Sequence, residues 1–376
     1  MSGIPYGRQS INDDDIAAVA EALRSDWLTT GPRVTEFEAA IAGLAGTPGA
    51  VAVSNGTAAL HVAYAAVGVG PGDEVIVPAL TFAATATTAL QLGATIRFAD
   101  AQDDTGNVDP SSAAALGGSA TKAVVGVDYA GQPIDADALR SVADGLGAYL
   151  IEDAAHSIGS TLGDRPVGSL ADLTTFSFFP TKNLTTAEGG AVVGFDPELL
   201  ARARRFRGHG MVRETADLRD ADVGPWHQEV QEIGLNYRLP DVLCALGLSQ
   251  LSRLAEFKGQ RQRVFDRYVE GLGSVEGLRL PGWRPGSQPT WHLFPVRVEA
   301  SRRRAIFETL RERGITVQVN YIPVYWHPLF QELGYRKGMC PVAEQYYREE
   351  ISLPMYAGLT ETDQDRVIDE VRAALR

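Results

Sequence analysis

A series of short apolar runs without polar alternation, separated by stretches of helical texture, begins at Ala50 and limits what this chain can fold into. "AVAVSNGTAALHVAYAAVGVG" reads as strand, tight turn and helix; "DEVIVPA" is a strand, "ATTALQLG" a helix and "TIRFAD" a strand. "KAVVGVDYAG", "GAYLIEDAAHS", "LTTFSFFP" and "GGAVVGF" continue the series. A strand with one wet face alternates polar and apolar residues; a strand covered on both faces has no such need. Runs rich in β-branched and aromatic residues therefore predict a mostly parallel sheet with helices on both sides, an α/β fold.

The flanks have a different texture. An amphipathic helix is expected to start near Ser10 or Asn12, with acidic residues in its first turn and Ile16, Val19 and Leu23 on one face. Beyond Asp196, "LPDVLCALGLSQLSRLAEFKGQRQRVFDRYVEGL" reads as one long helix or a kinked pair. "WHLFPVRV" reads as a strand, "SRRRAIFETLRERG" as a helix with a Ser N-cap and a Gly stop, and "ITVQVNYIP" as another strand. A chain of 376 residues exceeds the roughly 250–300 that one core usually serves. Two domains follow: a large sheet domain over residues 1–250 and a smaller C-terminal α+β domain over 251–376.

Charge and cysteine use exclude several functions. With 34 Lys+Arg against 47 Asp+Glu, the net charge of −13 opposes general nucleic-acid binding, which needs a basic face. An anionic ligand must instead meet a local cluster of donors. Cys244 and Cys340 lie far apart and form no metal-ligand spacing, which fits a reducing compartment. The start "MSGIPYGRQS" lacks the charge and apolar run of a signal peptide. The uncharged stretch from Val75 to Ile96 could span a bilayer by length. Pro78, Gln91, Gly93 and five threonines within it favour a strand plus a buried helix. A cytoplasmic protein without membrane attachment is expected.

Four lysines are present, Lys122, Lys182, Lys258 and Lys337, and three read as solvated charges. Lys182 differs: it follows the apolar strand "TTFSFF" and is the only charged residue between Asp172 and Glu188. An amine in an apolar loop loses hydration, which lowers its pKa and suits a Schiff-base nucleophile. Ser54-Asn55-Gly56-Thr57 sits between a strand and a helix. There Gly56 permits close backbone approach, and free amides with the Thr57 hydroxyl could cup a phosphate. Asp153, at the end of the strand in "AYLIEDAAHS", could face a protonated ring nitrogen, with His156 one helical turn further. Phe82, just past a strand end, could stack on a planar ring. Each feature has a plainer reading: a loop lysine reaching for solvent, an N-cap turn, a capping Asp with a packed His, a core phenylalanine. Together they match what pyridoxal 5′-phosphate requires, all at strand ends of one domain.

At these residues the sequence resembles the DegT/StrS family of sugar-nucleotide aminotransferases, within the aspartate-aminotransferase fold type (fold type I). The resemblance runs from "IPYGRQSI" and "SDWLTTGPRVTEFE" through "SNGTAAL", "GPGDEVIVPALTFAAT" and "EDAAHSIGS". It continues in "SFFPTKNLTTAEGGAVV", "RGHGM" and "GLNYRLPDVLCALGLSQL", and reaches "VNYIPVYWHPLF" near the C-terminus. It implies Lys182 as the lysine that carries pyridoxal 5′-phosphate through an imine, and Asp153 as the partner of the pyridine nitrogen. His156 stands beside the phenolic oxygen, Phe82 on the ring, and Gly56, Thr57 and Ser177 on the phosphate. Asn236, in "LNYR", matches an asparagine reaching the phosphate of the neighbouring subunit's cofactor, which implies a homodimer with shared active sites. Arg238 and Tyr321 are implied as contacts to the nucleotide-sugar. "SFFP" stands for "SFHP" of some relatives, and Ala187 for a frequent Gly. Tyr325-Trp326-His327 replace a common His-Leu-Gln, in a stretch expected near the sugar or nucleotide.

The implied reaction is ping-pong: L-glutamate donates an amino group, which passes to a keto sugar on a nucleoside diphosphate. "GRQSI", "SDWLTTGP" and "NLTT" resemble members that aminate C4 of dTDP- or UDP-linked 4-keto-6-deoxyhexoses; a C3-ketosugar aminotransferase is the nearest alternative. Sugar-3-dehydratase-like relatives carry His at the lysine position, against Lys182 here. A non-catalytic binding or regulatory protein on the same fold is the alternative of another class. Arg202, Arg204, Arg205 and Arg207 could meet a diphosphate or form a solvated helix face. Trp283, Trp291 and Trp326 are read as core or interface residues.

Overall fold

A computed structural model describes residues 3–220 and 222–376. Seven strands form the main sheet: β1 (Gly49–Val53), β2 (Glu74–Pro78), β3 (Thr95–Ala99), β4 (Thr121–Val127), β5 (Tyr149–Asp153), β6 (Leu173–Ser177) and β7 (Gly190–Gly194). Their order is β1-β7-β6-β5-β4-β2-β3. Neighbours from β6 through β5, β4 and β2 to β3 pair in parallel, whereas β7 runs antiparallel to both β1 and β6. The sheet is mostly parallel, as the unalternating apolar runs predict.

Those runs stay apolar because both faces are buried. Val51, Val53, Val75, Val77, Val125 and Ile151 enter one hydrophobic cluster, while Ala50, Ala52, Ile76, Val124 and Leu150 enter the cluster on the opposite face. A third cluster belongs to the C-terminal unit and joins Phe265, Tyr268, Phe294, Val296, Ile351, Leu353 and Val367, together with Ile4 from the N-terminus. The expected long helix is a pair, Asp241–Ser252 and Leu254–Leu272, broken at Arg253. The uncharged stretch is a strand and a separate helix, Ala84–Gln91, and no helix of the described residues is long and apolar enough to cross a membrane.

Several local expectations are corrected. Asn12 caps helix α1 (Asp13–Arg24) in a reciprocal capping box with Asp15, yet Ile16 and Leu23 remain exposed and only Ala22 among its apolar residues is fully buried. Helical periodicity reports a face but not what covers it. "ITVQVNYIP" is not a strand: it makes isolated bridges, Ile315 with Ile4 and Gln318 with Ser352, because the N-terminal segment takes one side of it. The helix Ala300–Glu312 is preceded by Glu299, whose side chain makes no capping hydrogen bond, so Ser301 lies inside the first turn. Gly314 follows its end at φ +80°, as a stop should. Lys258 is not simply solvated; its Nζ donates to the carbonyls of Gly159 (2.8 Å) and Gln288 (3.2 Å). Ala187 adopts φ +66°, the left-handed region that explains a glycine preference and costs other residues roughly 1 kcal/mol.

Candidate active site

Strand register puts the chemistry on one edge. Asp153 pairs with Val127 and Thr175, Ser177 with Gly190, and Gly190 with Val53, so the ends of β1, β4, β5 and β6 form one row. Gly190 is required there: a Cβ would lie 2.6 Å from the Asn55 carbonyl oxygen. A cavity of about 530 Å³ opens over this row. It is lined by Gly56, Thr57, Phe82, Asp153, His156, Ser177, Lys182 and Tyr321, eight of the ten residues singled out in the sequence.

The phosphate cup is built by the turn from β1 into helix α2 (Gly56–Ala66). The Asn55 side chain accepts from the Ala58 N–H at 2.8 Å, and its carbonyl accepts from Ala59. The N–H groups of Gly56 and Thr57, which no helix can satisfy internally, are left at the cavity wall. A Cβ on Gly56 would lie 2.9 Å from the Ser177 hydroxyl oxygen, so only glycine brings backbone and hydroxyl together. Gly56→Ala is expected to raise the dissociation constant of an anionic cofactor roughly five- to 150-fold, from about 1–3 kcal/mol of overpacking. Titration of the apo-protein, followed by cofactor absorbance, checks this.

Asp153 and Lys182 both line the cavity and act on one another electrostatically. Asp153 Oδ2 accepts from Thr85 Oγ1 at 2.8 Å, and Oδ1 from the Ala155 N–H at 3.2 Å. Thr85 is itself paired with Thr81 at 2.8 Å. Burial pushes the Asp153 carboxyl up, against the pull of Thr85, Ala155 and Lys182. Loss of hydration lowers Lys182 to about 8, with the Asp153 charge opposing. A neutral amine attacks carbonyl carbon. At pH 7 about a tenth of Lys182 would be neutral, against roughly one part in 3,000 for an ordinary lysine. Imine formation by the apo-protein with an added aldehyde should therefore rise with pH and level off above about pH 8, measurable by stopped-flow absorbance; a rise continuing past pH 10 would contradict it.

His156 lies in a turn, not one turn along a helix, but still faces the cavity because Asn183 Nδ2 donates to its carbonyl at 2.7 Å. Its Nε2 is 3.1 Å from the Tyr321 hydroxyl, and the His292 ring lies 4.3 Å away. Burial first and Lys182 second hold His156 well below the usual histidine range, so it is a neutral ring. The Nδ1 atoms of His156 and His292 are buried with no hydrogen-bond partner. Phe82 is 61% exposed on the rim, packed edge-on against Tyr321 at 6.1 Å, so the core-phenylalanine reading is wrong. Free amides, a hydroxyl, a desolvated amine, a buried carboxylate, unpartnered imidazole nitrogen and an open aromatic face together fit a phosphorylated aromatic aldehyde.

Two expected residues are not brought into this cavity within one chain. Asn236 is exposed, bridged to Gly208. Arg238 bridges to Val53 and lines a separate hollow of about 200 Å³ with Thr30, Glu38 and Arg207. Tyr325, Trp326 and His327 do not line the cavity either. Tyr325 packs on Phe98 and donates to Glu344 at 2.6 Å, Trp326 Nε1 donates to the same oxygen at 3.1 Å, and His327 precedes helix Pro328–Glu332. The arginine run is a partly exposed helix face, with Arg204 exposed and the other three half-buried, and each guanidinium has a partner. Arg202, Arg204 and Arg207 donate to the carbonyls of Ala66, Ala50 and Ala52, Arg207 also to Glu38, and Arg205 to Glu232. Trp291 is buried, stacked on Phe265 at 3.8 Å, whereas Trp283 is half exposed. Tyr6, Thr85, His292 and Asn320 line the cavity without having been foreseen. Only Thr85, one turn beyond Phe82, carried a signal in its threonine-rich helix start.

Residues 9–372 match the sequence profile of the DegT/DnrJ/EryC1/StrS aminotransferase family. The spore coat polysaccharide biosynthesis protein SpsC of Bacillus subtilis (strain 168) is 40% identical over 375 residues, covering 98% of this chain and 96% of that protein. The fold is similar to Helicobacter pylori PseC, an aminotransferase involved in the biosynthesis of pseudoaminic acid: TM-score 0.93, 31% identity, 100% and 99% of the two chains. It is also similar to the putative sugar aminotransferase Spr1654 from Streptococcus pneumoniae in its PLP-form: TM-score 0.92, 29% identity, 99% and 98%.

Proposed function

Because this chain belongs to the DegT/DnrJ/EryC1/StrS aminotransferase family and is a pyridoxal phosphate-dependent sugar aminotransferase of fold type I, we propose that it moves the amino group of L-glutamate to C4 of a dTDP- or UDP-linked 4-keto-6-deoxyhexose. Bound in the cavity, pyridoxal phosphate supplies an aldehyde that condenses with amines and a ring that takes up the electron pair of a deprotonated carbon.

The protein's own groups do the rest. The Gly56 and Thr57 amides and the Ser177 hydroxyl bind the phosphate. Asp153, ionised, keeps a proton on the pyridine nitrogen. Phe82 covers the ring and orients it. His156, steadied by Tyr321, donates to or accepts from the phenolic oxygen. Lys182 Nζ takes the proton from the donor's α-carbon and delivers one to the acceptor's new amine-bearing carbon after returning through the cavity. The observation that carries this reading is a desolvated lysine facing a buried carboxylate beside an unsatisfied helix N-terminus in one cavity.

A second copy of the chain completes the site in this proposal. Ile16, Leu23, Trp27 and Leu28 leave an apolar surface exposed on one chain, and exposed Asn236 and half-buried Arg238 lie outside its own cavity. Asn236 reaches the partner's cofactor phosphate, and Arg238 and Tyr321 hold the nucleotide-sugar. The chain divides into a cofactor-binding unit over residues 1–250 and a smaller unit over 251–376; the smaller unit has a hydrophobic cluster of its own, while Val324, Tyr325, Phe330 and Tyr346 join the cluster of the large unit. A reducing, cytoplasmic setting agrees with buried, unpaired Cys244 and Cys340.

Purified protein is to be assayed with L-glutamate against a panel of dTDP- and UDP-ketosugars, with the aminated carbon located by NMR. Amination at C3 would replace the C4 reading; no turnover with any ketosugar would overturn the substrate class. Mixing inactive Lys182→Ala with inactive Asn236→Ala should restore part of the activity, since mixed dimers contain one intact site.

A further inference from the structure

Tyr321 sits on a loop between elements of the C-terminal unit, and a loop side chain is placed only as well as its backbone is anchored. Its neighbour Asn320 carries that anchor. The Asn320 backbone N–H donates to Glu350 Oε2 at 2.8 Å, and its Nδ2 donates to the hydroxyls of Tyr6 at 2.6 Å and Ser352 at 3.0 Å. Ser352 in turn donates to the other Glu350 oxygen, and Tyr129 donates to the Asn320 carbonyl. Glu350 is fully buried at the start of the strand Glu350–Leu353, with no cation within ion-pair distance among the described residues. A buried acid that gains no ion pair is costly to retain, unless its two oxygens are needed as a fork.

We propose that Glu350 is a positioning residue of the active site: by gripping the Asn320 backbone and, through Ser352, the Asn320 side chain, it fixes the Tyr321 hydroxyl against His156. This rests on the reading of the cavity as the cofactor site only for its kinetic consequence; the positioning itself concerns groups of this chain alone. The path is continuous, from Glu350 through Asn320 to Tyr321 and then to His156 Nε2 at 3.1 Å. Burial pushes the Glu350 carboxyl up to about 8, and only Arg303 opposes it as a nearby charge, so near neutral pH the group is largely a neutral acid. Glutamine reproduces its size and its ability to accept from Asn320.

The test uses the full-length apo-protein labelled at the histidine ring carbons. The chain has only six histidines, so the His156 signal is identified by its disappearance in His156→Gln. Glu350→Ala is expected to shift that signal, through loss of the Tyr321 contact, and Glu350→Gln to leave it in place. With cofactor and substrates added, Glu350→Ala should lower kcat about tenfold with KM for L-glutamate little changed, and Glu350→Gln should restore it. If Glu350→Ala fails to fold, Glu350→Asp, one methylene too short to reach Asn320, replaces it with the same expectation. A His156 signal unmoved in the folded short variants, or moved equally by Glu350→Gln, overturns the proposal. A shifted signal without any change in turnover would leave positioning intact and count against the cofactor reading of the cavity.

Discussion

Lys182→Ala is expected to reduce turnover by at least about 10⁴-fold, the upper range for a positioned proton-transfer group, because the same amine also provides the covalent attachment. No other lysine lines the cavity: Lys122 lies over the Tyr149 ring, Lys258 is committed to two backbone carbonyls, and Lys337 lies over the Trp326 ring, 4.2 Å from its centroid. The phosphate cup, Phe82 and Asp153 remain, so the variant should still bind pyridoxal phosphate non-covalently but lose the visible imine band. Borohydride reduction followed by peptide mapping gives the direct readout. A tag on any residue other than Lys182 in the native protein would sink the assignment, whatever the activity of the variant.

Asp153→Asn should cost about 10²–10³-fold in kcat, comparable to removing one preorganised electrostatic group from a dry site. Asparagine has the same shape and leaves Lys182 in place; its one carbonyl oxygen can still accept from the Ala155 N–H, while the Thr85 hydroxyl turns to accept from its NH2. What it lacks is the negative charge that holds a proton on the facing nitrogen. The charge is also part of the lysine's setting, since Asp153 opposes the lowering of the Lys182 pKa. The variant should therefore keep its imine band, form it at somewhat lower pH than the native protein, and bleach slowly with L-glutamate. Loss of cofactor affinity with an unchanged bleaching rate would point to a purely structural role for Asp153. Thr85→Val, which removes one donor from the same carboxylate, should have the same effect at a smaller size.

Much of the fold is legible because strand burial on both faces leaves a local mark. Val51 and Ala52 point to different clusters and both are apolar, so alternation disappears from the sequence itself. The cavity is legible for a related reason: strand ends and a helix start are local features, and Asp153, Ser177 and Gly56 occupy them. Where the reading failed, the deciding partner was distant in sequence. The Ile315 segment looks like a strand, but its partners are Ile4 and Ser352. The plainer reading of Phe82 as a core residue fails because no element covers it, which leaves it free to stack on a ring. Tyr325 and Trp326, in a stretch expected near the sugar or nucleotide, both donate to Glu344 and do not line the cavity.

The amino-acid order alone determined the layered sheet, the strand ends at which chemistry gathers, and the lysine, carboxylate and helix start that a phosphorylated aldehyde needs. These depend on periodicity and on residue types within a few positions of one another. Only the tertiary structure decided that His292, Tyr6 and Asn320 share the cavity with Lys182, that the arginine run is tied to backbone carbonyls, Glu38 and Glu232, and that Glu350 grips the loop bearing Tyr321. Each of those contacts joins segments far apart in the chain. They form because burial leaves polar groups without water, and such groups must find partners wherever the fold brings them.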